Sequence, residues 1–185
     1  MGQAMGLALV VGSIADGSSN QSHEGAELIG TKAQQWDVIE WLNSKPLSLE
    51  ELQGRTVLVR WWTGPECQYC ALSAPHLNTW YERYHTNGLI VLGFYHHKSP
   101  EPLTQEHVER LVERYGFRFP VAVDPGWRTL RRWWLEGHER SWTSVSFLID
   151  QEGIIRSVHP GGSYATAEAE EVESMIRALL DMPSR

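Results

Sequence analysis

One segment constrains this chain more than any other. Seven residues rich in β-branched and aromatic side chains, Thr56 to Trp62 (TVLVRWW), form a run too short for a helix and read as a buried central strand. The run passes through Thr63-Gly64-Pro65-Glu66 into Cys67-Gln68-Tyr69-Cys70, and a helical pattern then continues to His85. A Cys-X-X-Cys pair at the mouth of a helix sets its first sulfur among unpaired backbone N–H groups, at the positive end of the helix dipole. A thiolate is stabilised there. Cys70 lies three residues on, about one helical turn away and close enough for a disulfide. These are the only 2 cysteines among 185 residues. A disulfide-stapled scaffold would carry more and spread them, and so small a loop gives little entropic stabilisation. Both thiols are spent on one motif, which points to redox chemistry. The competing reading is half a zinc site completed by His or carboxylate ligands, but no second pair at finger-like spacing exists.

The rest of the chain alternates strand and helix signals. Trp36 to Leu42 reads as a first strand, and Ser48-Leu49-Glu50-Glu51 as a capping box opening a short helix that stops at Gly54. The helix from Cys67 contains Pro75, so a kink near residue 71 or 72 is expected. Leu89 to Tyr95 is a second buried strand, and Thr104 caps a helix with Val108, Leu111, Val112 and Tyr115 on one face. Phe119 to Val123 reads as a strand and Trp127 to Leu135 as a short helix. Val145 to Asp150 and Ile154 to His159 form a hairpin about Gln151-Glu152-Gly153, and Thr166 to Leu180 closes the chain as a helix. Helical crossovers imply parallel strand pairs, and the hairpin adds an antiparallel edge. The expected class is α/β, a mixed central sheet with helices on both faces and a terminal β-hairpin plus helix.

Charge and hydropathy narrow the function classes. With 16 Lys+Arg against 23 Asp+Glu the net charge is −7, without the basic face a nucleic-acid binder shows. No apolar run approaches the roughly 20 residues of a membrane span. Met5 to Ala15 (MGLALVVGSIA) has about the length of a signal-peptide core, but the first positive residue is Lys32. Residues 1–30 therefore read as an apolar segment plus polar linker, and residues 31–185 as the folded domain. If the apolar segment is a truncated signal the protein works in the periplasm or another extracytoplasmic space; otherwise it is cytoplasmic. Membrane contact is expected only through that segment.

The order LSLEELQGRTVLVRWW, CQYC, Pro75, FPVAVD and SVSFLIDQEGIIRSVHPGG resembles the thioredoxin superfamily, in its TlpA/redoxin branch of thiol–disulfide oxidoreductases. The likeness runs from Trp36 to Leu180. It implies a thioredoxin-like fold, with Cys67 as attacking thiol and Cys70 as resolving thiol. It also implies protein disulfide or dithiol substrates, a thiol–disulfide redox partner, and no cofactor or metal. Trp62, Pro65, Glu66, Thr143 and Ser144 would make the substrate loops. Three departures stand out. The loop before Cys67 is one residue longer than usual, and its Glu66 carboxylate would oppose a thiolate. The position of the family's buried acidic residue falls on Arg60, a cation that would favour a thiolate. The family's cis-proline falls on Ser144, where a trans Thr143–Ser144 bond is expected because a non-proline cis bond costs about 3 kcal/mol.

Other residues offer alternatives. His96 and His97, with Lys98, follow a strand at its C-terminal end, where α/β sheets place their sites. They could assist proton transfer or join the thiolates in a copper site, but adjacent loop histidines are more often solvated. A thiol peroxidase is the other alternative, although the Pro and Thr that precede a peroxidatic cysteine are not matched; a non-catalytic binding module is a third. The tryptophans Trp61, Trp62, Trp127, Trp133, Trp134 and Trp142 suit either a peptide-docking surface or the core. A helix burying Trp127, Leu130 and Trp134 would leave Trp133 exposed.

Overall fold

A computed structural model describes residues 24–64 and 67–182. Among the described residues the sheet has 6 strands in the order β1-β4-β3-β2-β5-β6. The strands are β1 (Ile39–Leu42), β2 (Thr56–Trp62), β3 (Leu89–Tyr95), β4 (Val121–Val123), β5 (Val145–Ile149) and β6 (Ile155–Pro160). β2 lies at the centre. It pairs in parallel with β3, from Thr56↔Leu89 to Trp62↔Tyr95, and antiparallel with β5, where Arg60 faces Ser146. β3 and β4 are parallel, while β1 joins β4 and β6 joins β5 in antiparallel fashion. This is the mixed sheet expected from the crossovers and the hairpin.

Alternation along β2 sorts the core into two halves. Leu58 and Trp62 face the helices α1 (Gln68–Tyr84), α2 (Gln105–Tyr115) and α4 (Thr166–Leu180), whose Leu77, Trp80, Val108, Leu111, Val172 and Ile176 complete that half. Val57, Val59 and Trp61 face the other way, towards Phe94, Phe147, Trp133 and Trp134. α1 runs without a break across Pro75, with Cys70, Ala74, Leu77 and Trp80 buried along one side. The Thr104 hydroxyl caps α2, which ends at Gly116 with a φ of 66°, a left-handed turn that favours glycine.

Some local expectations change. β1 begins at Ile39 rather than Trp36, and β4 at Val121 rather than Phe119. Ser48 and Glu51 make the reciprocal bonds of a capping box, yet the residues up to Gly54 form turns, too short a stretch to nucleate a helix. The segment after β4 is a single α turn, α3 (Arg128–Leu130), followed by a π turn over Arg131–Leu135. The wider π turn brings adjacent side chains inward together. Trp133, expected outside, is therefore buried against Trp61 and Phe147 alongside Trp134, while Trp127 is only half-buried. Among the described residues no helix is long and apolar enough to cross a membrane. The segment Met5 to Ala15 lies outside the described residues.

Candidate dithiol site

Cys67 stands at the N-cap of α1, in extended backbone, and its sulfur accepts the Cys70 backbone N–H at 3.2 Å. Both cysteines are free thiols. The Cys70 S–H points at the Cys67 sulfur, 2.6 Å away. Cys67 is half-buried at the surface and Cys70 is buried behind it. The pair is electrostatically asymmetric. The S–H bond from Cys70, helped by the Cys70 N–H and the positive charge of Arg60, brings the Cys67 thiol down from 9.0 to about 6 against the opposing effect of burial. The same bond to Cys67, together with burial, pushes the Cys70 thiol far up. Near neutral pH the site holds one thiolate at the surface and one thiol behind it.

Behind the sulfurs, Cys70 Sγ lies 3.6 Å from Ser144 Oγ. The Thr143–Ser144 peptide is trans, as are all the described peptide bonds. In front, Thr63, Cys67, Tyr69, Lys98, Trp142 and Thr143 line an open cleft of about 280 Å³. Tyr69 and Trp142 meet edge-to-face at 5.8 Å across it, each about two-fifths exposed. The loop after β6 closes on the first turn of α1 at Gly162, where a Cβ would lie 2.2 Å from Tyr69 Cβ. Only glycine permits that approach.

Of the residues expected at the site, Cys67, Cys70, Thr143 and Ser144 come together. Trp62 does not join the docking loop. Its ring crosses to Gly93 of β3, where a Cβ would come within 2.9 Å of its Nε1, and it packs on Tyr95 and Phe117 in the core. Pro65 and Glu66 lie outside the described residues. Arg60 does face the sulfur side of the sheet: it is fully buried and Nη1 donates to Ser146 Oγ at 3.1 Å. The two histidines separate. His96 is not solvated but fully buried, with Nε2 3.3 Å from Thr143 Oγ1, and burial brings it down to about 3, so it is neutral in the working range. His97 is turned towards Tyr95 Oη and the Glu101 carbonyl. Among the described residues no three His, Cys, Asp or Glu side chains cluster as a metal site would need. Sequence reasoning did not single out Ser146 or Tyr164. The first was legible as the residue two on from Ser144, on the same strand face; nothing local marks the second.

Comparison with known proteins agrees with this geometry. The AhpC/TSA family pattern matches residues 29–158. Protein DipZ of Mycobacterium bovis is 30% identical over 169 residues, covering 88% of this chain but only 23% of DipZ. The thiol-disulfide oxidoreductase ResA of Halalkalibacterium halodurans is 31% identical over 125 residues, 68% of this chain and 65% of that protein. A Chlorobium tepidum crystal structure, provisionally described as thiol:disulfide interchange protein DsbE, superposes with a TM-score of 0.66 at 25% identity, covering 82% of this chain and 97% of that one. With its thioredoxin-like α/β fold and its redoxin pattern, the chain belongs to the AhpC/TSA family.

Proposed function

We propose that this protein is a thiol–disulfide oxidoreductase that cycles Cys67 and Cys70 between dithiol and disulfide on protein substrates. The observation that carries the reading is the asymmetric pair at the start of α1, a surface thiolate backed by a buried thiol 2.6 Å away. The Cys67 thiolate attacks one sulfur of a substrate disulfide and expels the other as a thiolate. Cys70 then attacks Cys67 Sγ, closes the internal disulfide and releases the second substrate sulfur. The cleft between Tyr69, Trp142 and Thr143 offers an aromatic-walled groove for the substrate chain beside Cys67. Family membership and the relative named thiol-disulfide oxidoreductase support the same reading. If the apolar segment Met5 to Ala15 is a signal, the protein works outside the cytoplasm.

Reduction of insulin disulfides by the full chain, supplied with a small dithiol, tests this. Wild type is expected to turn over and Cys67→Ser to abolish turnover. Cys70→Ser should accumulate a mixed disulfide, because attack survives but resolution does not. Peroxide consumption without insulin reduction would instead establish the peroxidase alternative.

A further inference from the structure

Arg60 is the one arginine or lysine among the described residues that lies in the core, with 0% exposure. A buried cation normally has a carboxylate partner. Arg60 has none within 4 Å among the described residues; it has the Ser146 hydroxyl at 3.1 Å and the Tyr164 ring at 5.5 Å. Burial disfavours the charged form of the Tyr164 hydroxyl and a guanidinium hydrogen bond favours it, while Nε and Nη2 have no partner within normal hydrogen-bond geometry among the described residues. Strand alternation puts Arg60 and Ser146 on the sulfur side of the sheet, two residues along from Ser144, whose Oγ touches Cys70. The groups around the guanidinium are Cys67, Cys70, His96, His159 and Tyr164, with Lys98 at the cleft rim and Glu168 behind His159. Burial disfavours the charged form of both His96 and His159, so the buried cation beside the two thiols is Arg60.

We propose that Arg60 is a positioning residue of the dithiol pair: it is the counter-ion of the Cys67 thiolate, and then of the thiolate that Cys70 must form to resolve the mixed disulfide. The proposal rests on the oxidoreductase reading above. When Cys67 attacks a disulfide RS–SR′, R′S⁻ departs and the site loses its negative charge. Loss of the Cys70 proton restores a charge opposite Arg60. Cys70 then attacks Cys67 Sγ and RS⁻ leaves, taking up the proton that Cys70 gave to water. One substrate disulfide is reduced and one internal disulfide is formed. In that oxidised state the guanidinium again has no counter-ion, so the cation favours the dithiol and makes the internal disulfide the more oxidising.

Arg60→Met, Arg60→Gln and Arg60→Lys in the full chain test this through two readings: the pH dependence of Cys67 alkylation, and the dithiol–disulfide equilibrium against glutathione. The two neutral variants should raise the alkylation midpoint by about one pH unit, the lower end of the shift an adjacent opposite charge produces. They should also move the equilibrium about tenfold towards the disulfide, while Arg60→Lys stays near wild type in both. Arg60→Gln keeps a donor for Ser146 and carries the test if Arg60→Met does not fold. An unchanged midpoint in a folded neutral variant overturns the proposal, as does an Arg60→Lys shift as large as the neutral ones. Neither reading needs a protein substrate, so failure of insulin reduction would count against the oxidoreductase reading alone.

Discussion

The two sides of β2 make a controlled comparison, because one strand supplies both. Trp61 points to one side and its indole N–H donates to Asp124 Oδ2 at 2.9 Å. The same carboxylate accepts the backbone N–H groups of Thr129 and Leu130, capping the turn that leads into α3. These buried polar groups are all partnered, surrounded by Phe94, Phe147 and Trp133, although the Trp133 Nε1 nearby has no partner among the described residues. Arg60 and Trp62 point to the opposite side, and there the accounts do not balance. Two guanidinium nitrogens and the Trp62 Nε1 are buried without partners among the described residues, next to a Cys70 whose sulfur meets Cys67, Ser144 and the Thr63 backbone. Native interiors leave few buried polar groups unpaired, and those left tend to mark function. The better satisfied side holds the fold; the less satisfied side holds the dithiol pair.

That contrast can be broken in three measurements beyond the substrate and Arg60 tests above. The largest effect is expected at Asp124. Asp124→Ala leaves three buried donors without an acceptor, each costing about 1–3 kcal/mol, so a loss of about 4 kcal/mol in denaturant unfolding is expected. Loss of less than about 1 kcal/mol would mean that this side is no better determined than the other. A smaller effect concerns Cys67. Its thiol, brought down to about 6, is roughly 90% ionised at pH 7, against about 3% for an ordinary cysteine, which makes it about thirty-fold richer in thiolate. Alkylation of the reduced protein should rise through about pH 6 and level off by about pH 8, with Cys67 modified before Cys70. The sign follows from linkage: a thiol held below its unfolded value stabilises the reduced fold fully above that unfolded value. The contribution is lost as pH falls through about 6. A rate still climbing at pH 9, or Cys70 labelled first, would remove the asymmetry on which the mechanism depends. The smallest effect, of opposite sign, is on stability at Arg60. An unpaired buried cation replaced by a hydrophobe of similar volume is neutral or stabilising, so oxidised Arg60→Met should match wild type or gain about 1 kcal/mol. Destabilisation as large as that of Asp124→Ala would show that Arg60 is a structural residue like its neighbour.

Much of the fold was legible from local pattern. The seven residues Thr56 to Trp62 had no alternative to a buried strand, and β2 occupies them all. The Thr104 cap and Gly116 stop bounded α2 because their chemistry acts within one helical turn. The failures lie where a neighbour distant in sequence decides. Trp133 turned inward because a π turn replaced the expected helix, and Trp62 went to the core because Gly93, on another strand, leaves room for its ring.

The sequence by itself determined the strand, the helix mouth and the placing of two thiols one turn apart, because spacing along a single helix is a local property. Only the tertiary structure decided what stands behind those thiols. Whether Arg60 meets a carboxylate or a hydroxyl, whether His96 meets water or Thr143, and whether Gly162 presses on Tyr69 are set by strand pairing and loop closure between distant segments. Burial then turns such contacts into electrostatics: the same Arg60 charge in water would be screened, and beneath the dithiol pair, fully buried, it is screened far less.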